Sequence, residues 1–280
     1  MLVIGADIGG SHITAAQVDL EHKQMVEASL HRCHVNSLAQ PQQVMDEWAA
    51  CIKKAAGNSP ISILCLAMPG PFDYEEGICL IQDQSKYPKL YGMNVKKPLA
   101  ELLGIKPDDI HINNDAACFL QGETFCGSVQ DYNRVIGVTL GTGLGSAIYE
   151  NGRARSADLW KMPFKESMAE NYLSTRWFLQ RHAGVSGVRE LAQMAPNNEQ
   201  VHALFAEFGQ NLAQFLNTFI KNTAAEAVVI GGNIAQAFPL FKQDLFNHIQ
   251  HDVLISPSQL GEQSALMGAA SFFLLKSVQQ

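Results

Sequence analysis

Val3-Ile4-Gly5-Ala6-Asp7-Ile8-Gly9-Gly10 is echoed later in the chain by Val135-Ile136-Gly137-Val138-Thr139-Leu140-Gly141-Thr142. Val3, Ile4, Gly5 and Gly9 recur at a constant offset as Val135, Ile136, Gly137 and Gly141. Each stretch is an apolar strand that runs into glycines, which reach positive φ without strain and carry no Cβ to hold an anion away from backbone N–H groups. Ser11 to Leu20 and Ser146 to Gly152 then read as the second strands of hairpins, not as amphipathic helices. A dinucleotide fingerprint or a Walker loop would open a helix, and G-x-x-x-x-G-K-[ST] does not occur. The repeat predicts two halves with a shared core, whose two equivalent turns hold one nucleotide between two lobes.

Composition fits a globular enzyme. The 280 residues are 47% hydrophobic and 17% charged, enough to bury a large core split between two lobes. A net charge of −7 with no basic stripe argues against a nucleic-acid surface, so phosphate must be held by local backbone and metal. No run reaches the roughly 18 apolar residues of a membrane span, and the apolar start runs straight into Asp7, so no membrane partner and a cytoplasmic location are expected. The six cysteines, all at or before Cys126, form no C-x-x-C pair and read as reduced thiols.

Pro41 to Ala56 reads as a helix with Val44, Trp48, Cys51 and Ile52 on one side, and Ile61 to Leu66 as a buried strand entering a rigid turn at Met68 to Asp73. A short helix is expected at Leu99 to Leu103, a strand at Ile110 to Ile112, and a helix from Asp115 with Ala116, Ala117, Phe119 and Leu120 inward. The stretch from Met168 to Ile220 reads as mainly helical, Val228 to Ile230 as a strand, and Ser264 to Lys276 as an apolar closing helix.

Asp7-Ile-Gly-Gly-Ser11, Pro69-Gly-Pro-Phe-Asp73, Asn114-Asp-Ala116, Leu140-Gly-Thr-Gly-Leu-Gly145 and Ile230-Gly-Gly-Asn-Ile234, with Leu260 to Ala270 at the end, occur in the order in which the ROK sugar kinases carry their motifs. The chain resembles that family, within the actin, sugar kinase and Hsp70 superfamily, over essentially its whole length. The resemblance implies an α/β, two-lobed actin-like (ribonuclease H-like) ATPase fold, each lobe a mixed sheet flanked by helices around a cleft. We expect residues 1–114, joined by the helix near 264–280, to form one lobe and 115–263 the other.

Phosphoryl transfer to a hydroxyl requires phosphate cradles, a divalent ion and a carboxylate that receives the hydroxyl proton. Asp115, between a strand end and a helix start, is the candidate base; a carboxylate there is also a common partner of the helix dipole. The resemblance implies ATP held by Gly9, Gly10 and Ser11 in one turn and by Gly141, Thr142 and Gly143 in the other, with Gly231, Gly232 and Asn233 bordering the adenosine. Asp7 would orient Mg²⁺ through water. Gly70, Asn114, Asp115 and Glu170 match sugar-contacting positions, and Asp158 to Lys161 fall on a further sugar-binding segment.

Two departures from the family pattern stand out. His12 occupies a position where lysine is frequent, and the cysteine-rich zinc loop expected between Lys161 and Glu170 is missing, so no zinc is expected. Lys161, where the pattern has histidine, would pair with Asp158 or Glu170, face an acidic substituent, or point to solvent. The reading is an ATP-dependent hexose kinase, glucokinase-like, with a catalytically weak sugar-binding or sensor protein as the alternative. A sugar-responsive regulator is disfavoured because the first phosphate strand begins at Leu2. The sugar is open among glucose, fructose, mannose, amino and N-acetyl sugars, and a homodimer is compatible with the acidic, helix-rich second lobe.

Overall fold

The computed structural model describes residues 1–82 and 86–277. It forms two compact units, Met1–Gly127 with Glu262–Gln280, and Ser128–Gly261.

In the first unit the alternation after Gly10 forms the expected hairpin. β1 (Leu2–Ile8) turns back as β2 (His12–Asp19), antiparallel, with Asp7 opposite Thr14. β3 (Gln24–Met25) and β4 (His31–His34) both pair with β2. Helix α1 (Pro41–Ala56) starts on a proline, whose missing N–H costs nothing there, and buries Val44, Trp48, Cys51 and Ile52. β5 (Leu64–Met68) lies parallel to β1; it starts later than the sequence predicts, although Ile63 still accepts the Ile4 N–H. A small hairpin, β6 (Phe72–Asp73) with β7 (Ile78–Cys79), and α2 (Lys96–Leu103) lead to β8 (Ile110–Asn114), parallel to β5. Then α3 (Asp115–Cys126) begins, giving the sheet order β3-β2-β1-β5-β8.

The second unit repeats that plan. β9 (Val135–Leu140) and β10 (Leu144–Glu150) form the antiparallel hairpin, and β11 (Arg153–Ser156) extends it. A short hairpin, β12 (Pro163–Phe164) with β13 (Ser167–Met168), precedes α4 (Thr175–Arg181), α5 (Val188–Met194) and α6 (Glu199–Thr223). β14 (Ala227–Gly231), α7 (Phe238–His248) and β15 (Leu254–Pro257) complete the order β11-β10-β9-β14-β15, with β14 and β15 parallel to the strand before them in that order. Each repeat strand therefore has antiparallel neighbours on one side and parallel ones on the other. The core of this unit is aromatic: Phe178 lies 4.9 Å from Phe208 and 5.1 Å from Phe205 between ring centroids, and Trp177 meets Phe178 edge to face.

The chain returns to the first unit as α8 (Ser264–Ser277). α8 lies against α3 so closely that a Cβ on Gly268 would collide with the Cys118 carbonyl, and one on Gly122 with the Ser264 carbonyl. Ser264 Oγ also donates to Glu123 Oε1 across this contact, 2.8 Å, with both side chains buried. This packing moves the boundary. α3, expected to open the second lobe, belongs to the first unit, and the return begins at Glu262, just before α8. Residues 278–280 of the expected first lobe lie outside the described residues. Among the described residues no helix is long and apolar enough to cross a membrane.

Because the α3–α8 contact is backbone against backbone, Gly268→Val should cost about 2 kcal/mol or more by overpacking. A urea midpoint equal to that of the parent would show that the helices separate without penalty.

Candidate functional site

Asp7 lies one residue before the end of β1, opposite Thr14 on one side and Ala67 on the other. Burial pushes its carboxyl up to about 7; the Asp115 charge and, more weakly, Glu262 add to this, while Lys86 and Arg32 oppose it. The turn after it closes when the Gly9 N–H donates to the His12 carbonyl, 2.9 Å. Buried Tyr87, edge-on to Trp48 with ring centroids 5.3 Å apart, donates its hydroxyl to the Gly9 carbonyl at 2.5 Å. Burial also raises the pKa of that hydroxyl, so it stays a donor. Ser11 is exposed and shares a 2.9 Å hydrogen bond with His12 Nδ1, and the His12 ring stands edge-on to His34 at 5.6 Å.

Asn114 and Asp115 sit where β8 becomes α3. Asn114 is the N-cap: its Oδ1 accepts the Ala117 N–H at 3.0 Å, a contact of about 1 kcal/mol. Its Nδ2 donates to Tyr74 Oη, 3.0 Å, and a Cβ on Gly70 would come within 2.8 Å of the same hydroxyl. Gly70, Tyr74 and Asn114 thus form one polar cluster. Asp115 Oδ1 accepts the Ala116 N–H at 2.8 Å, which holds the carboxylate at the helix start.

In the second unit the β9–β10 turn closes through the Gly141 N–H and the Gly143 carbonyl, 3.0 Å, leaving Thr142 at its tip. Glu170 braces it: Oε2 accepts the Leu144 N–H at 3.1 Å and lies 2.7 Å from where a Gly143 Cβ would be. A bond from the Thr175 N–H to the Gly141 carbonyl, 2.7 Å, ties the turn to α4. No neighbour lies within 4 Å of a Cβ at Gly141, so that backbone face is open. Gly231 pairs with Thr139, and Gly232 follows at φ +84°, where a Cβ would run into the Leu140 backbone. Only glycine meets both demands. Asn233 then opens a short 3-10 turn, Asn233–Ala237.

The remaining candidates stand apart. Asp158 (φ +51°) accepts the Ser156 hydroxyl at 2.7 Å, whereas Lys161 is exposed with its ammonium 4.4 Å from the Trp160 ring centroid. Asp158, Lys161 and Glu170 each take a different partner, so Lys161 pairs with neither carboxylate. Reading the sequence missed Tyr74, Lys86, Tyr87 and Glu262. Tyr74, Lys86 and Tyr87 sit in no periodic or glycine-marked pattern, and Glu262, although it lies within the Leu260 to Ala270 stretch, carries no local sign that it will approach Asp7.

The group around Asp7 suits a hard divalent cation, because carboxylates outweigh the cations near them. Among the described residues no three His, Cys, Asp or Glu side chains gather closely enough to hold a metal by themselves. A cation at Asp7 would therefore draw further oxygens from water and phosphate.

A model described as the ROK family matches residues 3–157. The chain is 22% identical to an N-acetyl-D-glucosamine kinase of Mannheimia succiniciproducens, covering 98% of this chain and 100% of that protein. It is also 22% identical to a glucokinase of Thermotoga maritima, covering 96% of each. Among solved structures, a ROK family glucokinase of Streptomyces griseus in complex with glucose and AMPPNP superimposes with a TM-score of 0.81 at 19% identity, covering 97% of this chain and 99% of that one. The two-unit architecture is the actin-like fold of these neighbours. With more than half its length matched by the family model, the chain belongs to the ROK family.

Proposed function

We propose that this protein is an ATP-dependent sugar kinase that transfers the γ-phosphate to a hexose hydroxyl. The observation that carries this reading is the meeting of Asp7 and Asp115, far apart in sequence, close enough that the Asp115 charge raises the Asp7 carboxyl. Paired carboxylates beside a glycine turn divide the labour of phosphoryl transfer. Asp115 takes the proton of the attacking hydroxyl as its oxygen bonds to phosphorus and the bond to the ADP oxygen breaks. Asp7 holds Mg²⁺ through water, and that ion, when bound, draws charge from the phosphate oxygens. Gly9, Gly10 and Ser11 with Gly141, Thr142 and Gly143 cradle the phosphates, the Gly9 and Gly141 N–H groups closing their turns while the residues after them face the ligand, and Gly231, Gly232 and Asn233 line the adenosine. Gly70, Asn114, Asp115, Asp158, Lys161 and Glu170 are the sugar side.

The names of the relatives point to glucose and N-acetyl-D-glucosamine as first substrates to try. A second reading, a sugar sensor with weak catalysis, is favoured by Glu170 and Asp158, which already have protein partners. ADP release over a sugar panel, with and without Mg²⁺, separates the two: sugar binding without turnover selects the sensor.

If Asp115 is the base, Asp115→Asn should keep the fold and bind sugar while kcat falls by about 10² or more. Near-normal turnover would remove it from the mechanism. Because Asp7 must lose its proton to attract a cation, the Mg²⁺ needed for half-maximal activity should rise as pH falls below about 7, and Asp7→Asn should lack this dependence. Chelation should stop turnover and leave thermal unfolding unchanged; unfolding on chelation would reveal a structural metal, zinc included. Lys161→Ala should raise the sugar KM more than about tenfold if the ammonium leaves Trp160 to meet substrate. An unchanged KM assigns Lys161 to the surface.

A further inference from the structure

The first glycine turn carries an ammonium that no motif announced. The Lys86 side chain is draped over Gly10: a Cβ at Gly10 would lie 3.1 Å from its Cγ, 3.3 Å from Cε and 3.4 Å from Cδ. The drape is anchored by the next residue, buried Tyr87, whose hydroxyl clamps the Gly9 carbonyl. Lys86 is partly buried, yet among the described residues its ammonium makes no hydrogen bond or ion pair, leaving all three donors unused. Its charge is felt at Asp7, so the ammonium lies near that carboxylate.

The other basic groups there are committed. Arg32 pairs with Glu262, and His12 is tied to Ser11 and edge-on to His34. Asp7, Asp115 and Glu262 make the neighbourhood net negative, which would repel a triphosphate unless a cation were set against its terminal oxygens. Among the described residues Lys86 alone combines position, partial burial and free donors.

We propose that Lys86 is the phosphate-binding cation of the first glycine turn, its ammonium donating to the terminal phosphate oxygens of the nucleotide while its methylenes rest on the bare Cα of Gly10. The inference rests on the kinase reading above. It explains the absence of a side chain at Gly10, since a Cβ would push the lysine stem off the turn by a few tenths of an ångström. The ligand chemistry is a polyphosphate ester, and the contribution of Lys86 should depend on the number of phosphates.

Titration calorimetry with Mg²⁺ tests this on the full chain, using AMPPNP, AMP and adenosine against the parent, Lys86→Met and Lys86→Arg. Lys86→Met keeps the stem on Gly10 and removes only the charge. It should weaken AMPPNP by about tenfold or more, the worth of one charge-assisted hydrogen bond, and leave adenosine unchanged. Lys86→Arg should recover most of the AMPPNP affinity, and in turnover Lys86→Met should raise the ATP KM but not the sugar KM. Equal weakening of adenosine and AMPPNP would mark Lys86 as structural and overturn the proposal, as would unchanged AMPPNP affinity in Lys86→Met. A parent that binds no nucleotide would overturn the kinase reading and this inference together, whereas a parent that binds and turns over while Lys86→Met matches it would overturn this inference alone.

Discussion

The site in the first unit depends on how closely α8 approaches its neighbours. On one side the Cα of Gly268 rests against the Cys118 carbonyl of α3; on the other, Leu266 of α8 lies so near β1 that a Cβ at Gly5 would sit 2.8 Å from its carbonyl oxygen. One helix thereby fixes both the strand that ends near Asp7 and the helix that begins at Asp115. Contacts of backbone on backbone have no rotamers through which to relax, so the spacing of the backbone segments that carry Asp7 and Asp115 is held by main chain. α8 thereby positions two carboxylate-bearing segments that lie outside it.

That rigidity has an electrostatic consequence. Two carboxylates held near one another, with Asp7 partly buried, cannot both ionise cheaply, and the first sign is the Asp7 carboxyl raised to about 7. A fold that maximised stability would place a second arginine here or replace one acid. Retaining the pair, with the Lys86 ammonium near it, suits a cation and a polyanion arriving together, as the proposed function requires. Each offsets a field that the protein alone leaves unbalanced.

Much of this architecture was legible in the sequence because the signals were local. Strand alternation after Gly10 and Gly143, the proline that opens α1 and the Asn114 cap all act within a few residues. The repeat of Val3 to Gly9 at Val135 to Gly141 was legible for the same reason, and the two sheets share a strand order. What escaped reading acts over distance. α3 looked like the start of a second lobe until Gly122 and Gly268 were seen to bring it against α8, and glycines in a helix otherwise read only as weak positions. Tyr74 and Tyr87 lie in irregular chain, and nothing nearby says that one will reach Asn114 and the other Gly9. For Lys161 the sequence leaves an ion pair, an acidic substituent and solvent all open, and the structure sets its exposed ammonium over the adjacent Trp160 ring.

The two glycine turns show how a repeated backbone diverges in function. Both are hairpin turns between a repeat strand and its antiparallel neighbour, yet their ties differ. The first is clamped at Gly9 by a neutral hydroxyl and covered at Gly10 by a lysine, which leaves donors and positive charge on its surface. The second is braced by the carboxylate of Glu170, which spends an acceptor on the Leu144 N–H and brings negative charge to Gly143. At the first turn a terminal phosphate would meet the Lys86 ammonium, with a cation at Asp7 offsetting the carboxylates. At the second, the open face of Gly141 and the exposed tip at Thr142 favour contacts from neutral N–H and hydroxyl groups, to which Glu170 is no obstacle. The same strand and turn thus yield two differently furnished cradles, one with an ammonium set among carboxylates and one braced by a carboxylate, a difference that lies largely in side chains brought in from outside the repeat.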